Sequence, residues 1–196
     1  FYVVPGDSLL LRVNTVDFDE SLTYSGKGAA RNNLLIDLFL MNEAENKKLP
    51  QYYTLSSALF KRHIDSIEAL RQERVQYFLA KENPLPAFAS LVKETVTYDF
   101  FLKRELYTAA NLYSERLPKV TDSFYDYRRD INFENQHLFG HYSYHRFLDR
   151  YIDNLAFQTY TDTHNYKKLK RNSFAHTFQK LQLLDSLVEN ENLKMV

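Results

Sequence analysis

Between Gly28 and Gly140 the chain contains no glycine, and its only prolines there are Pro50, Pro84, Pro86 and Pro118. Glycine and proline are the residues that weaken helices most. A long stretch without the first and with the second only as punctuation is written for helices. The remaining glycines, Gly6, Gly26 and Gly28, sit at the N-terminus, where the pattern is different.

There, Phe1–Val4, the turn Pro5-Gly6-Asp7 and Leu9–Val13 predict two strands around a tight turn. Asp17–Glu20 is a polar interruption, Leu22–Ser25 a third short strand, and Gly26-Lys27-Gly28 the release into a helix. Tyr2, Val4, Leu9, Leu11 and Val13 alternate as one apolar face would. Three short strands with no partner sheet are marginal. The expectation is therefore a truncated sheet, completed by strands upstream, whose open edge invites dimerisation through residues 1–25. An opening in mid-strand and a close in mid-helix (187–196) suggest a piece of a longer protein.

Six helices are expected beyond it. Ala30–Asn46 has Leu34, Leu35, Leu38 and Met41 on one face; Leu55–Lys81 carries Leu55, Leu59, Ile64, Ile67, Leu70 and Phe78. Pro86, suited to a first turn, opens a helix to Tyr113 whose middle, 96–107, is apolar on more than one side, which makes it central. A shorter helix over Thr121–Arg129 is capped by Thr121 or Asp122. From Ser143, residues Tyr144, Phe147, Leu148, Tyr151, Ile152 and Leu155 follow a helical period. The last helix spans Ser173–Met195 on Phe174, Phe178, Leu181, Leu184 and Val188. No repeat of fixed period appears. The fold expected is mainly α: an irregular array of about six helices (29–196) behind a short β element (1–28) that ends an N-terminal β domain.

With 44% hydrophobic and 26% charged residues, a chain of 196 residues can bury a core and stay dissolved. Fifteen Phe and fifteen Tyr without Trp place tyrosine rings at the rim of that core. Lys+Arg and Asp+Glu balance at 25 each, which speaks against nucleic acid as a partner. The densest basic run, Lys167, Lys168, Lys170 and Arg171, reads as a solvated lead-in to the last helix. No apolar run approaches the ~20 residues of a membrane span, and no signal peptide is visible. The absence of cysteine removes disulfides, thiolate metal sites and thiol nucleophiles.

Few residues remain as carriers of chemistry. His137, His141, His145 and Asp149 recur every four positions, as metal ligands on one helix face would. Gly140 and the Ser143 cap start the helix after His141, which breaks that face. Gly26-Lys27-Gly28 before a helix resembles a phosphate cradle but lacks the rest of a P-loop. No serine sits in a nucleophile elbow. Asp99, on the apolar stripe of the third long helix, is expected partly buried against a Lys, Arg or Tyr hydroxyl. No catalytic, cofactor-binding or metal residue is assigned.

The stretch Phe1-Tyr2-Val3-Val4-Pro5-Gly6-Asp7-Ser8-Leu9 resembles the last strands of the β domain in TlpA-like thiol-disulfide oxidoreductases of Bacteroidetes. The step Tyr24-Ser25-Gly26-Lys27-Gly28-Ala29 into a helix with Asn32-Asn33 is similar too, as is, in order and composition, Phe133–Leu155. The resemblance implies an accessory region upstream of a thioredoxin module, in a periplasmic or envelope protein. Its partner would be another protein or that module in the same polypeptide. The family's Cys-x-x-Cys pair is missing here, so no catalytic residue carries over. The alternative reading, second to this one, is a stand-alone helical module that binds protein or peptide in a groove.

Overall fold

The computed structural model describes residues 1–112, 120–134, 138, 140–163 and 173–194. Tyr113, Pro118, His137, the basic run Lys167–Arg171 and Met195 lie outside the described residues. The chain is mainly helical, 74%, with seven α-helices and one two-stranded antiparallel sheet among the described residues. None of the described helices is long and apolar enough to cross a membrane. The chain divides into two compact units, Phe1–Thr54 with Arg62–Thr97, and Leu55–Lys61 with Tyr98–Val196. The segment 1–28 thus shares a unit with the helices that follow it.

In the first unit, β1 (Ser8–Arg12) pairs with β2 (Thr23–Lys27), Ser8 opposite Lys27 and Arg12 opposite Thr23. A one-turn helix, α1 (Phe18–Ser21), lies in the connection where a polar interruption was expected. The expected first strand, Phe1–Val4, is not a strand. Its Tyr2 main chain is bonded to a side chain of α2 (Ala29–Tyr52) instead of to a neighbouring strand.

That helix runs six residues beyond its expected end at Asn46 and takes Pro50 into its last turn. Leu49 is buried there. Full burial of a leucine contributes roughly 1.5–3 kcal/mol, comparable with the cost of a proline in a helix. Helix α3 (Ser57–Glu82) starts two residues later than expected, because the Ser56 hydroxyl accepts the Leu59 N–H. Its apolar face is also turned. Leu59 and Leu70 are exposed, whereas Ile64, Arg71 and Val75 are buried. Arg71 donates to Leu38 O at 3.3 Å and pairs with Glu45 at 2.5 Å, so a buried cation replaces the leucine expected on that face. Helix α4 (Pro86–Asn111) adds Phe88 and Val92 to this unit, with Phe88 edge-on to Tyr2.

The second unit has an aromatic core. Tyr98, Phe101 and Leu102 of α4 pack with Tyr144, Phe147, Leu148, Tyr151 and Ile152 of α5 (Tyr142–Thr163). The α5 residues are those whose helical period the sequence displays. The helix expected over Thr121–Arg129 is a 3-10 helix, Asp122–Asp130. At three residues per turn Phe124 and Tyr127 eclipse, and both are buried on one side. The last helix is broken: α6 (Phe174–Leu187) ends where Val188 turns extended and buried, and α7 (Glu191–Lys194) follows. The face of α6 differs from expectation as well. Phe174, Phe178 and Leu181 are exposed, while His176 is buried and Leu183, Leu184 and Leu187 lie against the core.

Candidate functional site

The N-terminal hairpin is held by three consecutive residues of α2. Arg31 pairs with Asp7 at 2.5 Å. Asn32 accepts the Tyr2 N–H at 2.7 Å and donates to Tyr2 O at 2.9 Å. Asn33 does the same for Tyr24, at 2.8 and 2.9 Å. Successive helix residues point about 100° apart, so neighbouring amides reach two different segments of chain. Each amide offers one donor and one acceptor and satisfies a peptide as a paired strand would.

Gly26 and Gly28 both have φ of 94°. A Cβ on Gly28 would come within 2.6–2.8 Å of the Asp7 carboxyl group. Asp7 also accepts the Val4 N–H at 2.9 Å. The Arg31 hydrogen bond, then that of Val4, hold its pKa below the usual carboxylate value. The chain's own Asp7 carboxylate thus lies against Gly28 at this helix start, where it would repel a phosphate.

The sheet has two unlike edges. In an antiparallel pair, residues alternate between pointing their N–H and C=O at the partner strand and pointing them away. Tyr24, opposite Leu11, spends both groups on Asn33. Leu11 and, by alternation, Leu9 therefore direct theirs away from β2. Asn33 closes the outer edge of β2 at Tyr24, and among the described residues no bond closes that of β1. Both faces of β1 are open as well, Leu10 being 71% and Leu11 53% exposed. Val13, Val16 and Phe18 extend this apolar exposure. Neither proline nor lysine, the usual guards of an edge strand, occurs in β1.

The titratable groups of the second unit are internal. Glu105 is fully buried. Its Oε1 accepts from the Tyr127 hydroxyl at 2.6 Å and Arg128 Nε at 2.8 Å. Its Oε2 accepts from Arg128 Nη2 at 2.9 Å and Asn154 Nδ2 at 2.7 Å. Arg128 also bonds Gln158 and lies 4.2 Å from the Tyr125 ring centroid. Burial, then the Glu105 charge, push the Tyr127 hydroxyl well above its usual pKa. Burial pulls the Arg128 guanidinium down, but the Glu105 charge and bond outweigh it and raise it on balance. A carboxylate with four donors has no acceptor site left for a substrate proton, which makes this network structural.

Of the residues singled out in sequence, His141 precedes α5 and its carbonyl accepts the His145 N–H at 3.1 Å. Asp149 bonds Lys180 at 3.2 Å. Among the described residues no three His, Cys, Asp or Glu side chains are placed to share a metal ion. Asp99 is buried on α4, as are Lys103 and Arg104, which the sequence does not mark. His176, also unmarked, is buried with Nε2 3.5 Å from Asp153 Oδ1. A shallow depression is lined by Leu181, Leu184, Asp185 and Lys194.

Compared with known proteins, the chain matches no family model, no curated protein and no solved structure.

Proposed function

We propose that the chain is a non-catalytic accessory module that docks onto a β-strand through the edge of β1. In the reading supported by the resemblance of residues 1–9 and 24–33, it positions or selects partners for a thioredoxin-like domain of a periplasmic or envelope protein. The observation that carries the proposal is the asymmetry of the sheet. Asn33 closes one edge at Tyr24 with two hydrogen bonds, while the other presents Leu9 and Leu11 main-chain groups beside exposed Leu10 and Leu11 side chains. Strand addition uses such an edge: main-chain bonds supply affinity and alternate side chains supply selectivity.

Two measurements test this. Amide exchange at Leu9 and Leu11 should slow when an unrelated extended peptide of alternating valine and threonine is added; unchanged exchange refutes the docking edge. A Cys-x-x-Cys domain in the same reading frame is expected; a frame without one refutes the accessory role. A second reading, a stand-alone helical module that binds protein or peptide, is favoured by the exposed stripe Phe174, Phe178 and Leu181 on α6. It is the one that remains if the frame lacks the redox domain.

A further inference from the structure

The outward groups of β1 are self-complementary about Leu10. We propose that β1 pairs with β1 of a second copy, antiparallel, on a two-fold axis through Leu10. This rests on the reading of β1 as a docking edge and names the strand that fills it.

The register follows from which groups face outward. Leu9 and Leu11 carry the outward N–H and C=O groups, and Leu10 lies between them with its own turned to β2. A two-fold axis at Leu10 sets Leu9 opposite Leu11 of the other copy, and Leu11 opposite Leu9. Each of those pairs exchanges both of its bonds, so the four outward groups of each copy are all used. The two Leu10 residues face each other as a non-bonded pair, the geometry in which side chains approach most closely. Ser8 then faces Arg12, and no like charges meet. Such a contact is isologous: one strand supplies both halves, so the assembly closes at two copies.

The product is a four-stranded sheet in the order β2, β1, β1, β2. Its outer edges are the two β2 strands, each already bonded by Asn33 at Tyr24. Four strands are within the usual size of a sheet, whereas two are marginal. The Asn33 amide on Tyr24 also obstructs strand addition at the outer edge of β2. The contact is a single short strand and buries less than the roughly 800 Å² per partner of a standard interface, so association in the micromolar range is expected.

Because the chain has no cysteine, a single introduced thiol reports the register. Opposed Cα atoms of a non-bonded antiparallel pair are about 4.5 Å apart, inside the disulfide window of about 4.4–6.8 Å. The Leu10→Cys chain, oxidised with glutathione disulfide, should form a covalent dimer at least about tenfold faster than Val3→Cys, an exposed thiol off the strand. The mass of the unaltered chain by light scattering should rise from 23.3 kDa toward twice that between ~10 µM and ~1 mM. Leu10→Lys sets two charges face to face and should weaken association at least about tenfold; Leu10 is 71% exposed, and circular dichroism checks that the fold survives.

Equal cross-linking at positions 3 and 10, or a single 23.3 kDa species at the highest concentration, overturns the pairing. If the alternating peptide still protects Leu9 and Leu11 in that case, the docking edge stands and its occupant is another strand, upstream in the same polypeptide or from a partner. If it does not, both fall.

Discussion

Replacing Arg128 with methionine should cost the second unit about 3–5 kcal/mol, the usual penalty for removing one partner of a buried ion pair. The upper half of that range is expected here, because Glu105 is completely buried and loses two of its four donors at once. The Tyr127 and Asn154 bonds remain but cannot replace a positive charge. The guanidinium side chain is itself only 14% exposed, so solvent screening discounts little. At roughly 2–4 °C per kcal/mol for a chain of this size, the melting temperature should fall by about 10 °C. Urea unfolding should show a lower midpoint at unchanged slope, since the surface exposed on unfolding is the same. The double replacement Glu105→Leu with Arg128→Met should be less damaging than the sum of the single ones, with about 2 kcal/mol or more of coupling, because it strands no charge. A loss below about 1 kcal/mol for Arg128→Met, or additive effects in the cycle, would refute the claim that this pair is dry and mutually dependent.

Gly28→Ala should destabilise the hairpin by about 1–3 kcal/mol: it places a side chain at φ 94° with a Cβ against the Asp7 carboxyl group, and faster amide exchange in β1 and β2 would register it. Asp7 titrates below its ordinary 3.8 in the folded chain, so its contribution is complete above that value and is lost as pH falls through the lowered folded pKa; exchange of the Val4 amide should accelerate there, and an Asp7→Asn chain should lose this pH dependence.

Where the sequence succeeded, short-range order was enough. The absence of glycine between Gly28 and Gly140 specifies helix, and the period of Tyr144, Phe147, Leu148, Tyr151 and Ile152 specifies which side of α5 is buried. Both are properties of residues within one or two turns of each other, where backbone preference and side-chain spacing act directly. The turn glycines are legible for the same reason, since φ of 94° is a local demand.

Tertiary structure decided the rest, because the partners lie far apart along the chain. Glu105 reads as one more polar residue on α4 until Arg128, Tyr127 and Asn154 surround it. Arg71 takes a core position on α3, and Leu59 and Leu70 are left outside, because Glu45 and the Leu38 carbonyl on α2 can satisfy the guanidinium. The stripe Phe174, Phe178 and Leu181 has helical period but no core on its side, since α6 turns His176 inward instead. Asn32 and Asn33 carry no signal in their neighbours. Asn33 closes β2 at Tyr24 and Asn32 holds Tyr2 ahead of the hairpin, which leaves β1 as the sheet's open edge, a distinction that exists only once α2 lies beside the hairpin. Local periodicity fixes which elements form, but a buried charge or a closed edge is stabilised only by the group that meets it in space.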